Sequence, residues 1–283
     1  MDMRADIIFL SLAKNCAATL PNFLGMISAL RTAGLHCITY IGENDSHDGT
    51  NILLREAEKR EEIVYIPTSF MAGVPNRLHR MALGRQKLKD ELDKSGLNPR
   101  FICVVDLDTV IRQPPTVEAI HSAISKLARP DIFAVSATSR PQYYDILAYE
   151  DDNMSFEFLL EEIKKHQTNI FAYYRFFLEN VYPFRRRLTS DREVFCTSAF
   201  NGMIIYKAEA YALGSYVEHD FRRCEHLAFN RRLAQKIQEK ILIDPGLILL
   251  TPDDHGEEGF AVFAWKRLKK LLADRYHKLR SNP

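Results

Sequence analysis

Cysteine is scarce in this 283-residue chain, and the five present (Cys16, Cys37, Cys103, Cys196 and Cys224) are odd in number and far apart. No Cys-x-x-Cys pair occurs. That excludes a readable disulfide framework or zinc ribbon, and it suits reduced thiols in a cytosolic protein. Charge of one sign is equally lacking. The 38 basic and 37 acidic residues leave a formal net charge of +1, so there is no global field to attract nucleic acid, and any such signal has to be local. No apolar run approaches the ~20 residues that span a bilayer. The start, Met1-Asp-Met-Arg-Ala-Asp6, has neither the basic opening nor the apolar stretch of a secretory signal, so the expected location is cytoplasmic.

What is present is an ordinary globular composition, 46% hydrophobic, enough for one large α/β domain or a domain with a smaller lobe. The most informative stretch is Phe101-Ile-Cys-Val-Val-Asp106-Leu-Asp108, an apolar run ending in two carboxylates one residue apart. Such a run reads as a strand buried on both faces, and its carboxylates fall where open α/β sheets bind ligands. Two carboxylates on one side of extended chain suit a hard divalent cation, which in turn suits a diphosphate. The plainer reading is a pair of turn-capping aspartates, and only the surroundings decide between the two.

Those surroundings alternate strand and helix. Strands are expected at 6–12, 37–41, 62–67, 131–136 and 196–206, with two short ones at 241–244 and 247–250. Helices are expected at 18–33, 51–60, 77–92, 117–127, 207–213 and 227–239. Gly34 suits a left-handed helix end. The second strand runs into Gly42-Glu43-Asn-Asp45-Ser-His-Asp48-Gly-Thr50, whose acids suit ribose hydroxyls or a base edge, although Asp48 to Thr50 equally make a turn and a helix cap. In the 77–92 helix a solvated face is the plainer reading for any one of the basic residues, and Arg85 beside Gly84 is the candidate for an inward role toward a phosphate. The segment after 136 carries polar and aromatic groups suited to one wall of a sugar pocket.

Residues 149–190 change character, with many aromatics and the run Arg185-Arg-Arg187, and read as an inserted helical lid or acceptor subdomain. Asn201-Gly202 allows a bend or a close approach of backbone to ligand. Glu225 stands at a helix start, either as a simple cap or as a carboxylate held ionised beside a reacting hydroxyl. His255 lies in a loop beyond an apolar strand, an exposed histidine or a metal ligand in partnership with Asp108. Residues 261–283 form a basic amphipathic helix that packs on the domain or touches an anionic membrane as a peripheral contact.

The order of these features resembles the GT-A nucleotide-sugar glycosyltransferases. Phe200-Asn-Gly-Met203 followed by Cys224-Glu225-His226 resembles the fungal capsule α-1,3-mannosyltransferase family and its bacterial and viral relatives. The resemblance implies a GT-A-like α/β fold over residues 1–260, with a mostly parallel central sheet flanked by helices. It implies a hexosyltransferase of polysaccharide biosynthesis that uses Mn2+ or Mg2+ and a GDP- or UDP-linked donor. Asp106 and Asp108 would hold the metal and the ribose or diphosphate, His255 would complete the metal site, and Glu43 and Asp45 would face the nucleoside. Unlike fungal members, the chain has no N-terminal membrane anchor in this sequence.

The expected reaction moves a hexosyl group, mannosyl by the resemblance, to a carbohydrate hydroxyl, without nucleic acid as a partner. Glu225 is the general base if the anomeric configuration inverts. If it is retained, Glu225 positions the acceptor or stabilises a cationic sugar. Two other classes compete. A nucleotidyltransferase calls for a glycine-rich basic loop after the first strand, of which Ser11-Leu-Ala-Lys14-Asn15 is a poor version. A non-catalytic carbohydrate-binding protein would use the aromatic segment and show no metal dependence.

Overall fold

The computed structural model describes residues 5–217, 222–252 and 257–269. The first half alternates β1 (Ile7–Ala13), α1 (Leu20–Thr32), β2 (Cys37–Glu43), α2 (Thr50–Lys59), β3 (Val64–Pro67), α3 (Arg77–Ser95), β4 (Phe101–Val105), α4 (Val117–Lys126) and β5 (Ile132–Arg140). A helical segment follows, of α5 (Phe156–His166), α6 (Ile170–Phe176), a π-helical turn at Phe177–Val181 and α7 (Tyr182–Leu188). The chain then returns through β6 (Val194–Cys196), β7 (Met203–Lys207), α8 (Ala208–Ala212), α9 (Glu225–Ile237) and β8 (Lys240–Leu250). A last helix occupies residues 260–269.

Local chemistry sets the boundaries. Asn76, Thr116, Ser155 and Asn169 each accept a backbone N–H at the start of α3, α4, α5 and α6, satisfying donors that a helix leaves open. Gly34 and Gly96 take left-handed backbone just beyond α1 and α3.

One eight-stranded sheet has the order β3-β2-β1-β4-β7-β5-β8-β6. β1, β2, β3, β4, β5 and β8 run in one direction, and only β7 and β6 oppose them. Alternate residues feed opposite faces. Ile7, Phe9, Cys103 and Val105 join the core under one layer of helices, while Ile8, Leu10, Ile102 and Val104 join the core under the other. This two-sided burial is why the strands read as continuous apolar runs. The helical segment has a third, aromatic core of its own, including Tyr173, Phe176 and Phe177, into which Phe263 of the last helix inserts. No helix among the described residues is long and apolar enough to cross a membrane.

The first half matches the expected elements closely, and the second half departs from them twice. The single strand expected over 196–206 is two strands. β6 pairs with β8 at the sheet edge, whereas β7 lies antiparallel between β4 and β5. The break comes at Phe200-Asn201-Gly202, where Asn201 (φ 51°) and Gly202 (φ 85°) both adopt left-handed backbone and redirect the chain. Conversely, 241–244 and 247–250 form one strand. Pro245-Gly246 makes a bulge, absorbed by a register shift between Ala137 and Thr138 of β5. The five cysteines are free thiols, four of them buried.

Gly84 lets α3 lie close on the sheet. A Cβ there would meet Met71 Sδ at 2.7 Å and Leu12 Cδ1 at 2.9 Å. Gly202 is more constrained, because a Cβ would meet the Tyr144 hydroxyl at 2.8 Å and Val110 at 3.1 Å on backbone that already disfavours L side chains. Gly202→Ala is expected to cost about 1–3 kcal/mol of stability. Chemical denaturation of the two proteins reads this directly, and an unchanged midpoint would contradict the turn as described.

Candidate active site

The parallel strands end on one edge of the sheet, and β1 is flanked by β2 and β4, so connections diverge between β1 and β4. Such a switch point opens a crevice at the carboxyl ends of the strands. Asp106 follows β4 directly there. Its backbone N–H donates to the Gly202 carbonyl at 2.9 Å, so the turn before β7 holds the carboxylate segment in place. Asp108 is exposed, and one of its carboxylate oxygens accepts the Val110 N–H at 3.0 Å. The capping reading of Asp108 and its availability to a ligand are therefore compatible, since a carboxylate has further lone pairs.

Arg85 is the inward-facing base expected of α3. It is 2% exposed, donates to Asp106 Oδ1 at 2.5 Å, and has its Nε 3.9 Å from Glu225 Oε1. Burial works against its charge, but Asp106 and Glu225 more than restore it, so its pKa is raised overall. Glu225 opens α9 and is itself buried. Burial raises its pKa, opposed chiefly by Arg85. Two carboxylates thus share one guanidinium in a site where each isolated ion would cost several kcal/mol to desolvate.

A cavity of about 810 Å3 connects these groups, and its wall includes Arg85, Asp106, Asp108, Tyr144, Asp145 and Glu225. Sequence reasoning missed two members. Asp145, not singled out within the segment after 136 that reads as one wall of a sugar pocket, is pushed up to about 7 by burial and by the neighbouring charges of Asp106 and Glu225. It is placed by Asn201, fully buried, whose Oδ1 accepts the N–H groups of Tyr144 (3.1 Å) and Asp145 (3.3 Å). His226, seen only as part of a triplet, stacks on Phe200 with ring centroids 3.6 Å apart and brings Nε2 within 3.5 Å of Glu225. Burial, then the charge of Arg85, hold its pKa well down, so it is neutral. No sequence pattern flags Asp145, because its proximity to Asp106 comes from the placement of β7.

Glu43 and Asp45 do not line this cavity; Glu43 ends β2 and Asp45 lies in the loop after it, on the same sheet edge but beyond β1. Glu43 is buried and braces its own loop, accepting the Ser46 N–H at 2.7 Å and the Tyr65 hydroxyl at 3.2 Å. Asp45 is exposed on left-handed backbone, φ 48°. Asp48 caps α2 through Thr50 and also accepts the Ala17 N–H at 3.0 Å, tying the loop after β1 to the loop after β2. His255 lies outside the described residues.

Among the described residues no three His, Cys, Asp or Glu side chains gather as a ready-made metal site. The donor set that exists, hard oxygens of Asp106 and the exposed Asp108 on a cavity wall, fits an ion bound by one or two carboxylates and completed by substrate phosphates and water.

No family model matches the sequence, and no curated protein is similar to it by sequence. In three dimensions the chain is similar to a mannosyltransferase of Pyrobaculum calidifontis solved with GDP-Man and Mn2+. The TM-score is 0.50 at 15% identity, covering 99% of this chain and 65% of that one. It also superposes on mannosyl-3-phosphoglycerate synthase of Rubrobacter xylanophilus, with a TM-score of 0.47 at 10% identity over 98% and 75% of the two chains. For glucosyl-3-phosphoglycerate synthase of Mycobacterium tuberculosis, in complex with Mn2+, UDP and phosphoglyceric acid, the TM-score is 0.45 at 13% identity over 92% and 74%. The chain spans 65% of the length of the first of these structures, whose likeness shows the fold. That fold is of the GT-A type.

The raised pKa of Asp145 has a definite sign. Between its ordinary value near 3.8 and about 7 the folded state binds more protons than the unfolded chain, so stability falls as pH rises through that window. In metal-free protein, Asp145→Asn is expected to flatten the decline of Tm between pH 4 and 7. Equal slopes in the two proteins would remove Asp145 from the buried carboxylate group.

Proposed function

We propose that the protein transfers a hexosyl group from a nucleoside diphosphate sugar to a carbohydrate hydroxyl, in a metal-dependent reaction. The observation that carries this reading is the Asp106–Arg85–Glu225 constellation at the switch point of a GT-A sheet, with a carboxylate pair open to the cavity. The mannosyltransferase of similar fold was solved with GDP-Man and Mn2+, which supports a guanosine-linked donor and a mannosyl group. The narrower kinship with the fungal capsule mannosyltransferases rests on the Phe200–Met203 and Cys224–His226 segments. The catalytic unit is residues 1–260, with 149–190 as lid or acceptor subdomain. The basic segment 261–283, of which 270–283 lies outside the described residues, would supply a peripheral contact with anionic membrane in a cytoplasmic protein.

Asp106 and Asp108 hold the cation, with His255 as a further ligand. When bound, the cation acts as a Lewis acid that neutralises charge on the departing diphosphate. The chain's own residues do the rest. Asp45, exposed beyond β2, faces the nucleoside, and Glu43 keeps that loop in shape. Arg85 fixes the Asp106 carboxylate and favours the ionised form of Glu225, linking the diphosphate end of the cavity to the reacting end. Asp106 is shared between the cation and the donor's ribose. Glu225, buried beside Arg85 and His226, is either the base that takes the acceptor proton on inversion or, on retention, the anion that positions the acceptor and steadies positive charge on the sugar.

Release of nucleoside diphosphate from a panel of GDP- and UDP-sugars, with and without Mn2+, tests the reading. Turnover is expected only with the metal. Asp108→Ala is expected to lower it by about 100-fold or more, and Glu225→Gln to reduce kcat more than it raises KM. Turnover that persists in Asp108→Ala would sink the metal assignment, and failure to bind any nucleotide would return the protein to the carbohydrate-binding class. Product NMR assigns inversion or retention.

A further inference from the structure

His226 lines the cavity, yet nothing in the reaction above uses it. Its side chain is 2% exposed and held between two rings. Phe200 stacks on it with centroids 3.6 Å apart and planes 10° from parallel, and Tyr216 meets it edge-on at 6.0 Å and 87°. Both rings are fixed in turn. Phe200 belongs to the left-handed turn before β7, while Tyr216 stacks on Phe229 of α9 at 4.2 Å and its backbone N–H donates to Gln86 of α3 at 2.8 Å. The plane of the imidazole is therefore set by the turn, α3 and α9 together.

Inside that clamp, neither ring nitrogen has a hydrogen-bond partner among the described residues, and neither is open to solvent. Buried polar groups in native folds are paired or tied to function. The carboxylate in reach is that of the preceding residue, with Glu225 Oε1 3.5 Å from Nε2. The same oxygen is 3.9 Å from Arg85 Nε, which also lacks a hydrogen-bond partner, and the other carboxylate oxygen accepts the Cys224 thiol at 3.7 Å. A movement of roughly 0.5 Å by the carboxylate brings Nε2 into hydrogen-bond range. Burial and the Arg85 cation keep the imidazole neutral, so it carries one N–H. On Nε2 that proton faces the acid. On Nδ1 it would leave a lone pair set against the carboxylate.

We propose that His226 is a positioning residue: its uncharged ring donates Nε2–H to Glu225 Oε1 and holds that carboxylate in the orientation from which it meets the acceptor hydroxyl or the reacting sugar. Arg85 already supplies positive charge. A second cation would stabilise the carboxylate further and weaken it as a base, whereas an uncharged donor orients it and leaves most of its basicity.

This rests on Glu225 being the reacting carboxylate, so one arm of the test needs no turnover. NMR of the imidazole nitrogens, on the full chain with isotope-labelled histidine, is expected to show His226 as the neutral Nε2–H tautomer between about pH 5.5 and 8, its signals identified by their loss in His226→Phe. Glu225→Leu removes the acceptor and is expected to let the two tautomers mix. A charged ring, an Nδ1–H tautomer or no response to Glu225→Leu overturns the proposal.

The second arm is kinetic. His226→Phe keeps the stack on Phe200 and loses the donor, whereas His226→Gln loses the ring and keeps an N–H near the place of Nε2. Positioning lowers kcat about 10- to 100-fold in His226→Phe, with KM for the nucleotide sugar within about twofold of wild type, and His226→Gln recovers part of the loss. A packing role gives the reverse order, so a His226→Phe enzyme as active as wild type, or more active than His226→Gln, overturns the proposal. If His226→Gln does not fold, the tautomer and the His226→Phe kcat carry the test. Wild-type protein that turns over no nucleotide sugar overturns the glycosyltransferase reading and this proposal together; the failures named before it overturn the proposal alone.

Discussion

The site depends on one turn, Phe200-Asn201-Gly202. Its Gly202 carbonyl anchors the Asp106 backbone, its Asn201 side chain anchors Tyr144 and Asp145, and its Phe200 ring carries His226 on one face. Three segments distant in sequence are therefore held by three adjacent residues. The turn can do this because its left-handed backbone sends β7 antiparallel between two strands that run the other way. That reversal opens the sheet edge where the carboxylates collect.

The second constraint is electrostatic. A buried acid is tolerated only when something compensates it, and Arg85, paired with the part-exposed Asp106, does so for Glu225. Asp145 lies close to both acids and responds by holding its proton to higher pH. The guanidinium reaches this position because Gly84 allows α3 to settle against Leu12 and Met71. Packing with no chemistry of its own thus decides where a charge sits, and that charge opposes the rise that burial gives the Glu225 pKa.

The first half of the fold was legible because both sheet faces are buried there. Continuous apolar runs bounded by polar turns leave little ambiguity about strand position, and Gly34 marks a helix end by its own chemistry. The second half was harder. From Cys196 to Tyr206 the chain is apolar with one Asn-Gly interruption, a pattern shared by a kinked strand and by two strands in different places. Pro245-Gly246 posed the opposite difficulty, reading as a break where the sheet accommodates a bulge.

By itself, the sequence determined the alternation of strand and helix, the carboxylate pair at the end of β4, the inward arginine on α3 and the acid that opens α9. These are local matters: an apolar period, a glycine beside a base, a carboxylate before a helix. Tertiary structure alone decided that Asp145 joins Asp106 and Glu225, that Glu43 braces a loop while Asp45 is exposed, and that Arg185 and Arg267 face the same cavity as the acids. Asp145 meets the other acids through the order of strands in the sheet, and Arg185 and Arg267 meet them through the packing of helices distant in sequence. Strand order arises from long-range pairing, and no short window of residues carries it.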